Sequence, residues 1–78
     1  MSEQYNGWKN WETWNVALWI QNDEGLYNHA KSYRRMKYPY HTLANALREY
    51  GWNATPDGAS YLDRNIDRLA LDQMIRDL

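Results

Sequence analysis

An apolar stretch early in the chain covers nearly the whole circumference of a helix. At about 100° per residue, one side carries Trp11, Trp14 and Leu18, and the apolar residues from 16 to 20 cover the next two quadrants. A helix with no polar face must be enclosed by other elements in a soluble protein. The pattern therefore predicts a central helix over residues 11–21.

Capping residues and turn signals divide the rest of the chain into three further helices. Asn10 suits the N-cap of the first helix, and Asn22 that of a second over residues 23–36. A third helix is predicted over 40–50, because Pro39 interrupts the pattern before it and Gly51 follows it as a C′ glycine. The last helix is predicted over 67–77, since Ile66, Asp67 and Leu71 form a hydrophobic staple around an N-cap. An earlier start at Ser60 is the alternative, and 60–66 is otherwise irregular.

These elements predict an all-α fold, a single small domain of three to four helices packed around the Trp-rich central helix. Residues 1–9 form an N-terminal polar arm from which Trp8 folds back onto the core, and residues 10–78 form the helical domain. The core is expected to consist mainly of large apolar side chains from all four helices: Trp11, Trp14, Leu18, Trp19, Leu26, Ala30, Leu43, Leu47, Leu71, Met74 and Ile75. Trp52 is expected to plug the core from the loop after the third helix.

Composition narrows the possible chemistry. The 78 residues include five tryptophans and seven tyrosines but no phenylalanine and no cysteine. The missing cysteines exclude disulfides, thiolate nucleophiles and zinc-thiolate sites. No apolar run approaches the 18 or more residues of a membrane span, and residues 1–6 lack the features of a signal peptide. A cytoplasmic protein with no membrane contact is therefore expected.

The charge is uneven, although its formal sum is only −1. Residues 31–50 carry five cations and one anion, whereas both ends of the chain are acidic. Cations alternating with tyrosines suit single-stranded nucleic acid, because cations meet phosphates and rings stack on bases. The candidates for such contacts are Lys31, Tyr33, Arg34, Arg35, Lys37 and Tyr38. Cations that complement a helix C-terminus, and tyrosines that belong to the core, explain the same run without a ligand.

Glu12 and Asn15 form a second candidate, since they lie one helical turn apart within an aromatic surround. Such a pair could line a binding pocket, with Glu12 as a proton-transfer group. The simpler interpretation is a buried amide that is hydrogen-bonded to a neighbouring loop, while Glu12 supports the helix N-terminus.

Metal and catalytic signals are weak. Asn22, Asp23 and Glu24 lack the alternation of an EF-hand, and a cap with first-turn charges explains them. No nucleophile signature flanks His29 or His41, which are interpreted as surface residues. No catalytic residue, metal site or cofactor is predicted.

The motif W-E-T-W-N-V-A-L-W-I-Q-N-D-E-G, residues 11–25, resembles the signature of a family of small proteins encoded in bacterial and bacteriophage genomes. The likeness continues through Leu26 and Tyr27 and returns weakly over residues 71–78. That family has no established activity, so the resemblance implies a compact domain and no particular chemistry. The leading hypothesis is a small non-enzymatic protein that binds another protein, since Trp, Tyr and Arg supply interface anchors. Single-stranded nucleic-acid binding through residues 31–41 is the alternative.

Overall fold

The structure is a computed structural model, and it describes residues 7–78. It contains four helices, α1 (Trp11–Asn22), α2 (Glu24–Ser32), α3 (Pro39–Glu49) and α4 (Arg68–Arg76). The described part of the chain has no strand, only an isolated antiparallel bridge between Ala54 and Ser60. The all-α prediction is confirmed. None of the helices described has the length and hydropathy to cross a bilayer. The first six residues of the expected polar arm lie outside the described part.

The helix starts follow from capping side chains. Asn10 caps α1 by accepting a hydrogen bond from the Thr13 amide, and Asp67 caps α4 by accepting one from the Ala70 amide, as predicted. The predicted cap of α2 is wrong by one residue. Asn22 remains in α1, where its side chain bonds to the Leu18 carbonyl at 2.8 Å. Asp23 caps α2 instead and is the only residue between the two helices.

The predicted C-terminal end of α2, residue 36, lies four residues beyond the observed end at Ser32. Its C-cap is Tyr33, and the amides of Tyr33 and Arg34 bond three residues back, to Ala30 and Lys31, rather than four. The Ser32 hydroxyl also donates to the His29 carbonyl at 2.6 Å. Such local bonds compete with the helical pattern and explain why the helix ends there.

The core lies between α1 and the other helices on a face of smaller side chains than expected. In α1 the residues removed from solvent are Val16, Ala17 and Ile20, together with the polar Thr13 and Asn15. The side chains predicted to dominate the core from α1, Trp11, Trp14, Leu18 and Trp19, are only half-buried, as is Met74 in α4. Of these five, Trp11, Trp19 and Met74 pack against the buried core from its edge. Leu26, Ala30, Leu43, Leu47, Leu71 and Ile75 are buried as predicted. Trp8 packs on the edge of this core, also as predicted.

Helix packing explains why the face of α1 with the smaller side chains, Val16, Ala17 and Ile20, forms the core. Both α1 and α3 pack on α2 and α4, and short side chains allow the helix axes to approach closely. The indole groups of Trp11 and Trp19 then pack against the edge of the core instead of filling it.

The segment from Tyr50 to Asp67 is irregular, and hydrogen bonds tie it to the helices. The Tyr40 hydroxyl donates to the Tyr61 carbonyl at 2.6 Å in the interior. At the far end, the Asp67 amide donates to the Thr13 hydroxyl at 3.0 Å. These contacts hold the segment against the helices, and part of it forms one wall of the groove described below.

Candidate functional site

A groove of about 670 Å³ lies where α1, α2 and the end of α3 meet the irregular segment. We call it the aromatic groove, because five of the residues that line it carry rings and one carries a carboxylate: Trp19, Asp23, His29, Tyr50, Trp52 and Tyr61. Its volume falls within the range of about 300–1,000 Å³ that is usual for ligand sites. Among residues 7–78, no lysine or arginine lines it.

The rings along one side of the groove form a continuous series. The centroids of Tyr33 and His29 are 5.2 Å apart, those of His29 and Tyr50 are 6.1 Å apart, and those of Tyr50 and Trp52 are 5.7 Å apart. All three pairs are tilted and fall within the separations at which aromatic rings attract each other. The Tyr33 hydroxyl and His29 Nε2 also form a hydrogen bond of 3.1 Å. The series therefore connects α2 to the C-terminal end of α3.

The last two rings of the series are largely exposed. Tyr50 keeps 66% of its surface in solvent and Trp52 keeps 58%. The prediction that Trp52 plugs the core is therefore wrong. Its position follows from the way α3 ends.

A Schellman motif terminates α3 and directs Trp52 outward. Gly51 has a φ of +84°, which an L side chain rarely adopts. The amides of Gly51 and Trp52 donate to the carbonyls of Arg48 and Leu47, both at 2.9 Å. This geometry turns the chain away from the helix axis. The Trp52 ring therefore packs against the exposed Tyr50 ring and not against the core.

The far wall of the groove is fastened to α1 by a buried amide. Asn15 is 1% exposed. Its Nδ2 donates to Asp57 at 2.9 Å, and its Oδ1 accepts from the Thr55 hydroxyl at 2.6 Å. The Thr55 hydroxyl oxygen in turn accepts from the Ala59 amide at 3.0 Å. Both polar atoms of the amide thus bond to the turn over residues 55–59.

Asp57 joins this network to the rim of the groove. One carboxylate oxygen accepts from both Asn15 and the Trp19 indole nitrogen, each at 2.9 Å. These two hydrogen bonds stabilise the ionised carboxylate and lower the pKa of Asp57 below its ordinary value. The Trp19 ring is thereby fixed by a charged acceptor.

Asp23 brings a second negative charge to the groove. Its Oδ1 accepts from the Leu26 amide at 2.9 Å as the cap of α2. Tyr61 lies close enough to feel this charge: burial raises the pKa of the Tyr61 hydroxyl, and the Asp23 carboxylate raises it further. Asp23 is therefore both a cap and a carboxylate of the groove wall.

The structure separates the two residues of the predicted polar pair. Asn15 belongs to the network beside the groove, whereas Glu12 lies half-buried in the first turn of α1 and takes no part in that network. For Asn15, the simpler interpretation of a buried amide bonded to a loop is the observed one.

The residues of the basic run have different surroundings. Lys31 lies over the Tyr27 ring at 5.8 Å, and Lys37 lies over the Tyr38 ring at 5.6 Å. Arg34 is half-buried and donates to the Leu78 carbonyl at 3.2 Å. Arg35 and Tyr38 are exposed, whereas Tyr33 belongs to the aromatic series.

A smaller depression of about 440 Å³ adjoins the N-terminal end of α3. It is lined by Tyr38, His41, Arg68, Leu69 and Asp72. Asp72 is buried and accepts from the Tyr40 amide at 2.8 Å, so it caps α3 from another helix. This depression shares no lining residue with the aromatic groove.

No group of three or more potential His, Cys, Asp or Glu ligands within residues 7–78 is arranged to hold a metal ion. Of the acidic stretch considered for a cation, Asn22 bonds to its own helix and Asp23 caps the next one.

Sequence reasoning missed Tyr50 and Trp52 as parts of a site. The signal that could have found them is Gly51, since a C′ glycine implies that the next residue leaves the helix. A tryptophan at that position has no reason to be buried by the helix that precedes it.

A protein-family model described as a family of unknown function, DUF7249, matches residues 1–78. No curated protein and no solved structure matches the chain.

Proposed function

We propose, for a chain that belongs to the DUF7249 family of unknown function, that its role is to bind another protein through the aromatic groove. In this proposal the protein is a small non-enzymatic interaction module of bacterial or bacteriophage origin that acts in the cytoplasm. The observation that carries the proposal is the pair of exposed rings of Tyr50 and Trp52, 5.7 Å apart at the groove.

The exposure of these rings is unusual for residues of their size. Trp and Tyr are the residue types that most often dominate the energy of protein interfaces, particularly beside a concave surface. A domain of 78 residues has few large side chains available for its core. Exposing two of them forgoes apolar burial that would stabilise the fold. Burial of the same two rings by a bound partner explains their exposure in the free protein.

The groove is also held in shape before any partner arrives. The Schellman motif fixes the position of Trp52, and Asn15 holds the opposite wall through Thr55 and Asp57. A preformed surface loses less conformational freedom on binding than a flexible one.

Charge favours a protein over a nucleic acid at this groove. Nucleic-acid binding depends largely on cations that neutralise phosphates, whereas the lining of the groove within residues 7–78 includes Asp23 and no lysine or arginine. The basic run over residues 31–41 remains the alternative nucleic-acid site; Tyr38 belongs to that run and Tyr50 to the groove. The two residues flank α3, whose 11 residues span about 16 Å.

Site-specific photocrosslinking compares the two surfaces directly. A photoreactive phenylalanine analogue is placed at residue 50 in one variant and at residue 38 in another, and each is irradiated in the cells that express the protein naturally. We expect a discrete protein adduct from position 50 alone, lost when Trp52→Ala is added. The captured protein, once purified, should bind the wild-type chain and bind Trp52→Ala at least tenfold more weakly, since a hot-spot residue contributes about 2 kcal/mol or more.

Two results would overturn the proposal. One is the absence of any adduct at position 50. The other is a nucleic-acid adduct at position 38 without a protein adduct at position 50, which would establish the alternative.

A further inference from the structure

We infer that the aromatic groove receives an arginine side chain of the partner protein, held among its rings beside the carboxylate of Asp23. This inference rests on the proposed function and specifies the chemistry of what enters the groove.

The rings of the groove offer faces suited to a cation. A guanidinium group within about 6 Å of a Trp or Tyr centroid is attracted by the negative face of the ring. Two lysine ammonium groups of the protein already lie over tyrosine rings in this way, Lys31 over Tyr27 and Lys37 over Tyr38. In the groove, by contrast, the lining residues from the described part of the chain include no lysine or arginine. Its rings are therefore available to a cation from outside.

Negative charge at the groove attracts the arginine side chain electrostatically, in addition to the attraction of the aromatic rings. Asp23 lines the wall, and Asp57 accepts the indole hydrogen of Trp19 at the rim. Asp23 Oδ1 is held at the start of α2 by the Leu26 amide at 2.9 Å, and Asp23 and Tyr61 both line the groove. A cation entering there is attracted by both carboxylates, whereas a phosphate is repelled.

Arginine fits this setting better than an apolar side chain or a lysine. An apolar side chain would remove water from Asp23 and offer no hydrogen bond in return, which is costly. Lysine offers a compact, strongly hydrated charge. The planar guanidinium of arginine can stack on a ring while its N–H groups donate to a carboxylate.

The test is an NMR titration of the full chain at low salt with Nα-acetyl-arginine methylamide. The citrulline analogue is the matched probe, because it keeps the shape of arginine and removes the charge. We expect saturable shifts of the Trp19 and Trp52 indole N–H signals with the arginine probe. The citrulline probe should bind about fivefold more weakly or worse, from the range of cation–π energies.

Three variants locate the site. Asp23→Asn keeps an efficient N-cap, since Asn and Asp cap equally well, and should weaken arginine binding about two- to fivefold while leaving citrulline binding unchanged. Trp52→Ala should abolish the shift at Trp19. Tyr38→Ala replaces an exposed ring at the other end of α3 and should leave both probes unaffected.

Equal binding of the two probes, an unchanged affinity in Asp23→Asn, or no response of the groove indoles would overturn the inference. If any of these occurs while the position-50 adduct is obtained, the proposed function stands and the occupant is not arginine. If the protein binds the arginine probe but the position-50 variant gives no protein adduct, the protein-binding role is rejected.

Discussion

The buried amide of Asn15 donates a 2.9 Å hydrogen bond to the exposed carboxylate of Asp57, 42 residues further along the chain. This contact and the 2.6 Å bond from Thr55 link the middle of α1 to the turn at residues 55–59. One interior side chain therefore controls both the stability of the domain and the shape of one groove wall.

Replacing Asn15 by alanine should destabilise the protein by about 1–3 kcal/mol, because the buried Thr55 hydroxyl then loses its acceptor. Urea unfolding monitored by tryptophan fluorescence measures the change. Asn22→Ala is the control, since Asn22 is an exposed amide on the same helix with a single local bond. A cost for Asn15→Ala no larger than that of the control would show that the turn does not depend on this amide.

Acid should weaken the fold through Asp57. Its pKa is lowered in the folded state by the bonds from Asn15 and Trp19, so its contribution to stability is present above the unfolded value of about 3.9 and is lost as the pH falls through the lower folded value. Asp57→Asn should therefore show a shallower decline of the unfolding free energy between about pH 5 and pH 3. In an Asn15→Ala background, Asp57→Asn should change that decline less. Identical effects in the two backgrounds would contradict the coupling.

Alkali should weaken the fold through Tyr40, which is 1% exposed. Burial, followed by the influence of Tyr61, raises the pKa of its hydroxyl. Unfolded Tyr40 ionises near pH 10 while the folded residue stays neutral, so its contribution persists below about pH 10 and is lost as the pH rises further.

Tyr40→Phe should remove that loss, and at neutral pH it should cost about 1–3 kcal/mol because the Tyr61 carbonyl loses its partner. Urea unfolding at pH 8, 10 and 11 measures both effects. Tyr27→Phe, in a half-buried tyrosine of α2, is the control. If Tyr40→Phe loses as much unfolding free energy between pH 8 and pH 11 as the wild-type protein does, other groups cause the alkaline loss of stability.

Gly51 should tolerate asparagine better than alanine. Its φ of +84° is strained for an L side chain, but a Cβ there would meet no atom within 4 Å. Gly51→Ala should therefore cost about 1–2 kcal/mol from backbone strain alone. Gly51→Asn should cost less, since asparagine tolerates this conformation. Thermal unfolding ranks the variants, and equal costs would argue against backbone strain as the cause.

Ile20→Ala tests which face of α1 forms the core. Ile20 is fully buried, so we expect a loss of about 2–5 kcal/mol. Leu69→Ala removes an aliphatic side chain that is 78% exposed and should change the unfolding free energy by less than about 0.5 kcal/mol. Similar small losses for both substitutions would place the core elsewhere.

Local signals in the sequence predicted the fold well. Asn10, Asp67 and Gly51 act within one turn of their own positions, so their helix ends could be deduced without knowing the packing. The face of α1 could not be deduced in the same way. Tryptophan is the largest apolar residue, yet the close approach of neighbouring helices favoured Val16, Ala17 and Ile20, and that choice depends on elements far away in sequence.

The site was harder to predict than the fold for the same reason. The groove is assembled from α1, α2, the end of α3 and the irregular segment, and no single stretch carries its pattern. Asn15 was recognised as a polar residue in an apolar surround, and its bonding to a loop was anticipated. Its partners Thr55 and Asp57 lie 40 and 42 residues away, so nothing local could identify them.

Asp23 is both the C-cap of α1 and the N-cap of α2, so a single residue joins the two helices. A joint of one residue has only one pair of soft backbone dihedrals, so the torsions that set the mutual angle of the two helices also place the Asp23 carboxylate. An insertion at this corner would therefore keep the cap of α2 but shift that carboxylate and the α2 wall of the groove relative to α1.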